Sequence, residues 1–192
     1  MQTGLGLWHK ARARPTSRGW WVVAVAAMIL FAGTGPGLAR WGKDWRDVQR
    51  VAGYDTLIVE YAAAAGLEPG LVRAVVRAES SGNAEAKSAR GAYGLMQVTR
   101  ITEKDVLQRN PEMTKGDLYD PRYNLEIGTT YLGYLLGRFD GDLMLALTAY
   151  HMGPTAVRRV QRKHPGITPE RLLAEHAGPK TRAYVRKVLG EH

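Results

Sequence analysis

The stretch from Leu71 to Gln97, LVRAVVRAESSGNAEAKSARGAYGLMQ, decides how the rest of the chain is read. Apolar side chains recur at Leu71, Val72, Val75 and Val76, while Arg73 and Arg77 stand one turn apart on the other side. That is the periodicity of an amphipathic helix. Glu79 follows Val75 by four residues and Val76 by three, so it belongs to the apolar stripe and not to the arginine side. Ser80, Ser81, Gly82 and Asn83 then cap or turn the chain and end the helix. The spacing predicts a lone carboxyl on the buried side of a helix, in its last turn. An apolar wall desolvates the anion, and the helix C-terminus is partially negative; both favour the protonated form. A carboxyl held protonated near neutral pH is what a general acid needs.

A Glu at a helix end is ordinarily a solvated surface residue. What argues otherwise is the sequel. Gly91 and Gly94 bracket GAYG, and paired glycines permit close backbone approach or positive φ. Gln97 lies inside the short apolar run Leu95–Val98, as a hydrogen-bonding side chain aimed into a cleft would; a structural turn would look the same. Glu79-Ser80 within AVVRAESSGN, followed by GAYGLMQ, resembles the signature of the soluble lytic transglycosylase family of lysozyme-like, peptidoglycan-cleaving enzymes. The resemblance runs from about Tyr54 to Leu189. It implies a mainly α, lysozyme-like compact helical domain with a substrate cleft over residues 53–192, preceded by an N-terminal hydrophobic helix.

The remaining chain is read outward from this centre. At 192 residues it is long enough for one domain plus a tail. The absence of cysteine excludes disulfides, thiolate metal sites, a Cys nucleophile and a lipid-modified N-terminal Cys. Net charge is +9, but four of the basic residues, Lys10, Arg12, Arg14 and Arg18, precede the first apolar run. No basic stripe interleaved with aromatics follows, so nucleic acid is not an expected partner. Residues 1–18 form a basic cytoplasmic tail or signal n-region. Residues 19–39, GWWVVAVAAMILFAGTGPGLA, carry no charge. The strongly apolar part, Trp20 to Gly33, is short for a span of about 20 residues. One reading is an export signal cleaved after Gly37-Leu38-Ala39. The other, favoured by flanking Trp20, Trp21, Trp41 and Trp45, is an inner-membrane anchor with its basic side cytoplasmic. Either way the remainder is exported, to the periplasmic side of a bacterial envelope. Residues 40–52 read as a linker or short helix.

Further helices are expected at Tyr54–Ala65, ended by Gly66, and from Pro69 through Glu79. One or two short helices are expected in 95–108, with Thr102 and Asp105 in an N-cap arrangement. A small hairpin or loop is expected in 84–93, and a loop over 109–119. Asp120-Pro121 starts a helix reaching about Gly137, in which Gly128 suggests a close helix crossing. Asp142 opens another that ends at Gly153-Pro154. Basic 155–163, a short helix from Thr168, and Pro179 to Leu189 complete the series.

The resemblance also assigns roles. Glu79 is the expected catalytic acid, with Ser80, Met96, Gln97, Tyr150, His151 and Tyr184 at the sugar. The Tyr150 hydroxyl is expected to reach the Glu79 carboxyl. Asn124, Gly128 and Tyr131 match the family pattern as well. Thr148–Pro154 lies where the family carries Ala-Tyr-Asn; His151 stands in place of the Asn and alters that substrate contact, though imidazole can still donate and accept. No His at ligand spacing suggests a metal, and no cofactor is expected. Most glycosidases use two carboxylates. Glu85 and Asp105 are near in sequence, but no motif supports either. The family's chemistry accounts for the gap: it cleaves the β-1,4 bond between N-acetylmuramic acid and N-acetylglucosamine without water, one carboxyl giving and then retrieving a proton as a 1,6-anhydro ring closes. The expected partners are peptidoglycan glycan strands, the inner membrane through residues 19–39, and an envelope-spanning machinery. A goose-type lysozyme-like hydrolase and a non-catalytic glycan-binding or scaffold module are the alternatives.

Overall fold

The computed structural model describes residues 45–190. The basic tail, the apolar segment 19–39 and residues 40–44 lie outside the described residues. Among those described, no helix is long and apolar enough to cross a membrane.

Residues 45–52 are helical, the short-helix alternative expected for 40–52, and Val51 is buried in the core. Helix α1 (Asp55–Ala64) is ended by Gly66 at φ 65°. Helix α2 (Pro69–Glu79) starts at a proline, whose fixed φ suits a first turn, and buries Val72, Val75 and Val76 completely. The apolar stripe read from the sequence is thus the face that packs. Full burial of each valine stabilises the fold by roughly 1.5–3 kcal/mol.

Lys87 bridges Tyr93 antiparallel within the segment 84–93 expected to hold a small hairpin or loop, and a second hairpin follows. Strand β1 (Ala92–Tyr93) pairs antiparallel with β2 (Val98–Thr99), in register Ala92 to Thr99 and Tyr93 to Val98. The loop between them is Gly94–Gln97, the segment of interest. Helix α3 (Arg100–Arg109) is capped by Thr99, whose Oγ accepts from the Thr102 amide. The N-cap is therefore Thr99, three residues before the Thr102 expected from sequence.

Helix α4 (Pro121–Arg138) is capped by Asp120, whose carboxylate accepts from the Arg122 and Tyr123 amides. It forms the central rod and buries Leu125, Ile127, Leu132 and Leu135. Helix α5 (Leu143–Met152), capped by Asp142, leads through Gly153 into α6 (Pro154–Lys163). A single turn α7 (Pro169–Arg171) and a π-helical turn over Leu172–His176 lead to α8 (Pro179–Leu189). Helix α4 packs against α1, α3 and α5; α8 packs against both α2 and α5. That last arrangement closes the end of α2, and with it Glu79, against residues more than a hundred positions later.

Candidate active site

Glu79 stands at the end of α2; α8 brings Tyr184 and Lys187 to it, and α5 brings Tyr150, whose hydroxyl ties in the Gly94–Gln97 loop. Glu79 is half-buried. Burial raises its carboxyl pKa to about 7; the Tyr184 hydroxyl and the Lys187 charge pull it down, but less than burial pushes it up. Desolvation is the largest of the three influences and sets the direction. Tyr184 is near enough to act on the carboxyl, yet its buried hydroxyl makes no hydrogen bond within 3.5 Å. Lys187 instead donates through Nζ to the Arg77 carbonyl at 3.0 Å, one of the open carbonyls at the end of α2.

The loop between the strands is fixed from below by α4. Asn124, fully buried, accepts the Met96 amide at 2.8 Å and donates to the Tyr93 and Leu118 carbonyls, both at 2.8 Å. A side chain at Gly94 would collide with Asn124 and Leu118, since its Cβ would lie 2.5 Å from the Leu118 oxygen. Gly128 admits the Met96 side chain, whose sulfur would lie 2.5 Å from any Cβ there. The close approach that Gly128 suggested is therefore to the loop, not to a crossing helix. Gln97 adopts φ 48°, a left-handed conformation uncommon for a residue with a side chain. Its amide nitrogen donates to the Gly94 and Ala86 carbonyls at 3.1 and 3.2 Å, which locks the turn.

Met96 has no exposed surface, so it does not line the sugar site as expected. Its contribution is through the backbone: the Met96 carbonyl accepts the Tyr150 hydroxyl at 2.9 Å. The Tyr150 proton is thus directed to Met96 and not to Glu79, a second correction. Tyr150 still lies in the field of Glu79, and burial together with that charge drives its hydroxyl pKa well up. Its ring rests 5.7 Å from Tyr131, a residue the sequence placed only as part of the family pattern.

Ser80 caps the end of α2 and turns its hydroxyl back to the Val76 carbonyl at 3.3 Å. His151 shares a hydrogen bond of 3.0 Å with Thr181, and its ring lies against Tyr184 with centroids 4.9 Å apart. Burial, then the charges of Arg90 and Lys180, lowers its pKa, so the imidazole is neutral near pH 7. Glu85 is exposed, and Asp105 is paired with Arg109 at 2.9 Å. Glu103 is buried, but Arg100 and the Tyr123 hydroxyl satisfy it. None of the three figures among the groups acting on Glu79.

A hollow of about 520 Å³ runs between the 45–52 helix and α2, and one of about 350 Å³ is bordered by Tyr61, Asn110, Thr129 and Tyr134; Glu79 lines neither.

Fold and site together define a helical domain built around a carboxyl of raised pKa, walled by tyrosines, on which no second carboxylate acts among the described residues. Residues 56–170 match the family described as the Transglycosylase SLT domain, and the chain belongs to that family. It is 29% identical over 180 residues to a soluble lytic murein transglycosylase of Salmonella typhimurium, an alignment covering 88% of this chain and 26% of the relative. It is 31% identical to a membrane-bound lytic murein transglycosylase C of Yersinia pestis, covering 73% and 46%. A solved structure of an inactive glutamate-to-glutamine mutant of the lytic transglycosylase Slt from Pseudomonas aeruginosa superposes with a TM-score of 0.64 at 28% identity, over 71% of this chain and 22% of that one. The chain thus spans between about a quarter and a half of the length of these curated relatives.

Proposed function

We propose that this chain is a peptidoglycan lytic transglycosylase that cleaves the β-1,4 bond between N-acetylmuramic acid and N-acetylglucosamine without water. The observation that carries the reading is Glu79: one half-buried carboxyl, pKa about 7, with no carboxylate partner acting on it. Such a group is protonated in a useful fraction at neutral pH and can donate to the glycosidic oxygen. The muramoyl N-acetyl group then stabilises the cationic centre, the substrate-assisted exception to the two-carboxylate pattern. Glu79, now ionised, takes the proton from the sugar's C6 hydroxyl, and that oxygen closes the 1,6-anhydro ring. The Tyr184 hydroxyl, buried and unpartnered, is the donor at hand for the anion formed in between. Tyr150 and Met96 hold the wall against which the acid stands, and Ser80, Gln97 and His151 border the sugar.

Family membership supports the reaction class, as does the solved relative described as inactive when a glutamate is changed to glutamine. A goose-type hydrolase would need a second acid to activate water, and no other carboxylate is a neighbour acting on Glu79. Residues 19–39 are read as the inner-membrane anchor that leaves this domain on the periplasmic side; alkali-resistant membrane association of the full chain is the check.

The test is product analysis with isolated cell-wall sacculi. Mass spectrometry distinguishes anhydro-muramoyl products from reducing sugars, which differ by one water; reducing ends alone overturn the transglycosylase reading. Glu79→Gln is expected to abolish cleavage and retain sacculus binding. A mutant that solubilises wall at the parent rate removes Glu79 from the mechanism.

A further inference from the structure

We propose that the helix over residues 45–52 belongs to the catalytic apparatus, with Arg50 as a positioning residue that holds the turn behind Glu79. This rests on the reading of Glu79 as the acid. The family model matches from residue 56, whereas the alignment to the Salmonella relative covers 88% of this chain and takes in this helix as well.

Two residues beyond Glu79 the chain takes successive left-handed conformations, Ser81 at φ 54° and Gly82 at φ 73°. For serine that conformation is intrinsically unfavourable and persists where surroundings impose it. The surroundings are the end of the 45–52 helix. Arg50 donates through Nε to the Ser81 carbonyl at 3.0 Å. Its other arm is held by Asp47, which is only 5% exposed despite its charge. Gly82 lies directly on the helix backbone: a Cβ there would come within 2.8 Å of the Val51 nitrogen and 2.9 Å of the Arg50 Cβ. Val51 in turn is anchored in the core. The turn that fixes where α2 stops, and hence where Glu79 points, is therefore clamped by the helix that precedes the span of the family model. Displacement of a reacting group by about 1 Å can cost about a hundredfold in rate.

The experiment uses the full chain with Arg50→Ala, Arg50→Met and Arg50→Lys, and Arg46→Ala as a control for charge on the same helix. Cleavage of a soluble glycan oligomer gives kcat and KM across pH. Arg50→Ala is expected to lower kcat about tenfold or more with KM within about twofold. The alkaline limb of the kcat profile should move to lower pH, because a loosened turn admits water to the carboxyl. Arg50→Lys, which keeps one donor for Ser81, should restore most of both effects, and Arg46→Ala should match the parent. Should Arg50→Ala fail to fold, Arg50→Met keeps the packing stem without the donors and is read the same way. Parental kcat and pH profile in the Ala or Met variant overturn the proposal. So does a Lys variant as impaired as Met, or a fall in kcat matched by KM with an unmoved limb, which would leave Arg50 a role in folding alone. Glu79→Gln in the same assay separates the two ideas: if it is active, the acid assignment fails; if it is dead while Arg50 variants are parental, only the clamp fails.

Discussion

At the scale of single residues, three influences on Glu79 compete. Burial raises its pKa, while Tyr184 and Lys187 lower it; the outcome of about 7 says that burial dominates. The sign of the linked stability follows. The folded pKa lies above the ordinary value of 4.5, so folding favours the protonated form. Its contribution is complete below about pH 4.5 and is lost as pH rises through about 7. Glu79→Gln cannot ionise, so it should match the parent in urea unfolding near pH 4.5 and exceed it at pH 8 by on the order of 1–3 kcal/mol. Equal stabilities at pH 8 would mean the carboxyl is solvated. Activity has the same requirement: an acid must be protonated, so kcat/KM should fall above pH about 7. Tyr184→Phe separates these effects further. Its hydroxyl satisfies no partner, so its removal should leave stability unchanged or slightly higher. The ionised intermediate would lose its donor, lowering kcat about tenfold to a hundredfold, and the alkaline limb would move above 7. A limb that stays put would take Tyr184 out of the electrostatics of the site.

At the scale of elements, α4 is the part that builds the loop. Asn124 satisfies the Tyr93 carbonyl of β1, the Met96 amide of the loop and the Leu118 carbonyl just before α4. Asn124→Ala should cost at least about 3 kcal/mol, since each orphaned buried group costs about 1–3. Gly128→Ala should cost about 1–3 kcal/mol through overpacking against Met96. Because Met96 carries the carbonyl that holds Tyr150, chemical denaturation and kcat should fall together in both. The helices were legible because their signals are local: Asp120-Pro121, Asp142, the Val72–Val75–Val76 stripe and Gly66 each act within a turn or two. Glu79 was legible for the same reason, through its place on the stripe. The loop was not. The sequence put a small hairpin or loop in 84–93, where Lys87 does bridge Tyr93, but it did not show the strands that pair across 92–99, because two-residue strands carry no period to read. Met96 reads as a sugar contact until α4 is seen to bury it. The Tyr150 proton goes to Met96, and Lys187 reaches the end of α2, through pairings 54 and 110 residues apart. No local pattern encodes such distances.

At the scale of the whole molecule, the chain divides into Met1–Asp44 and a compact unit, Trp45–His192. The resemblance placed the start of the folded domain at residue 53, and the charged, short RWGKDWRDVQRVA before it read as a linker or short helix. Within that stretch Asp47 is buried against Arg50, and Val51 is part of the core. The boundary has a functional consequence that truncation can measure. A chain beginning at Trp45 keeps every described contact to Glu79 and the Arg50–Ser81 bond, and should release material from isolated sacculi at close to the full-length rate. A chain beginning at Gly53 loses the Val51 anchor, worth roughly 1.5–3 kcal/mol. At about 2–4 °C per kcal/mol for a domain of this size, its melting temperature should drop by roughly 5–10 °C. With the clamp on Ser81 gone, sacculus release should fall at least about tenfold even at temperatures where both chains are folded. Equal activity of the two truncations at such a temperature would place the whole of the catalytic geometry within residues 53–190.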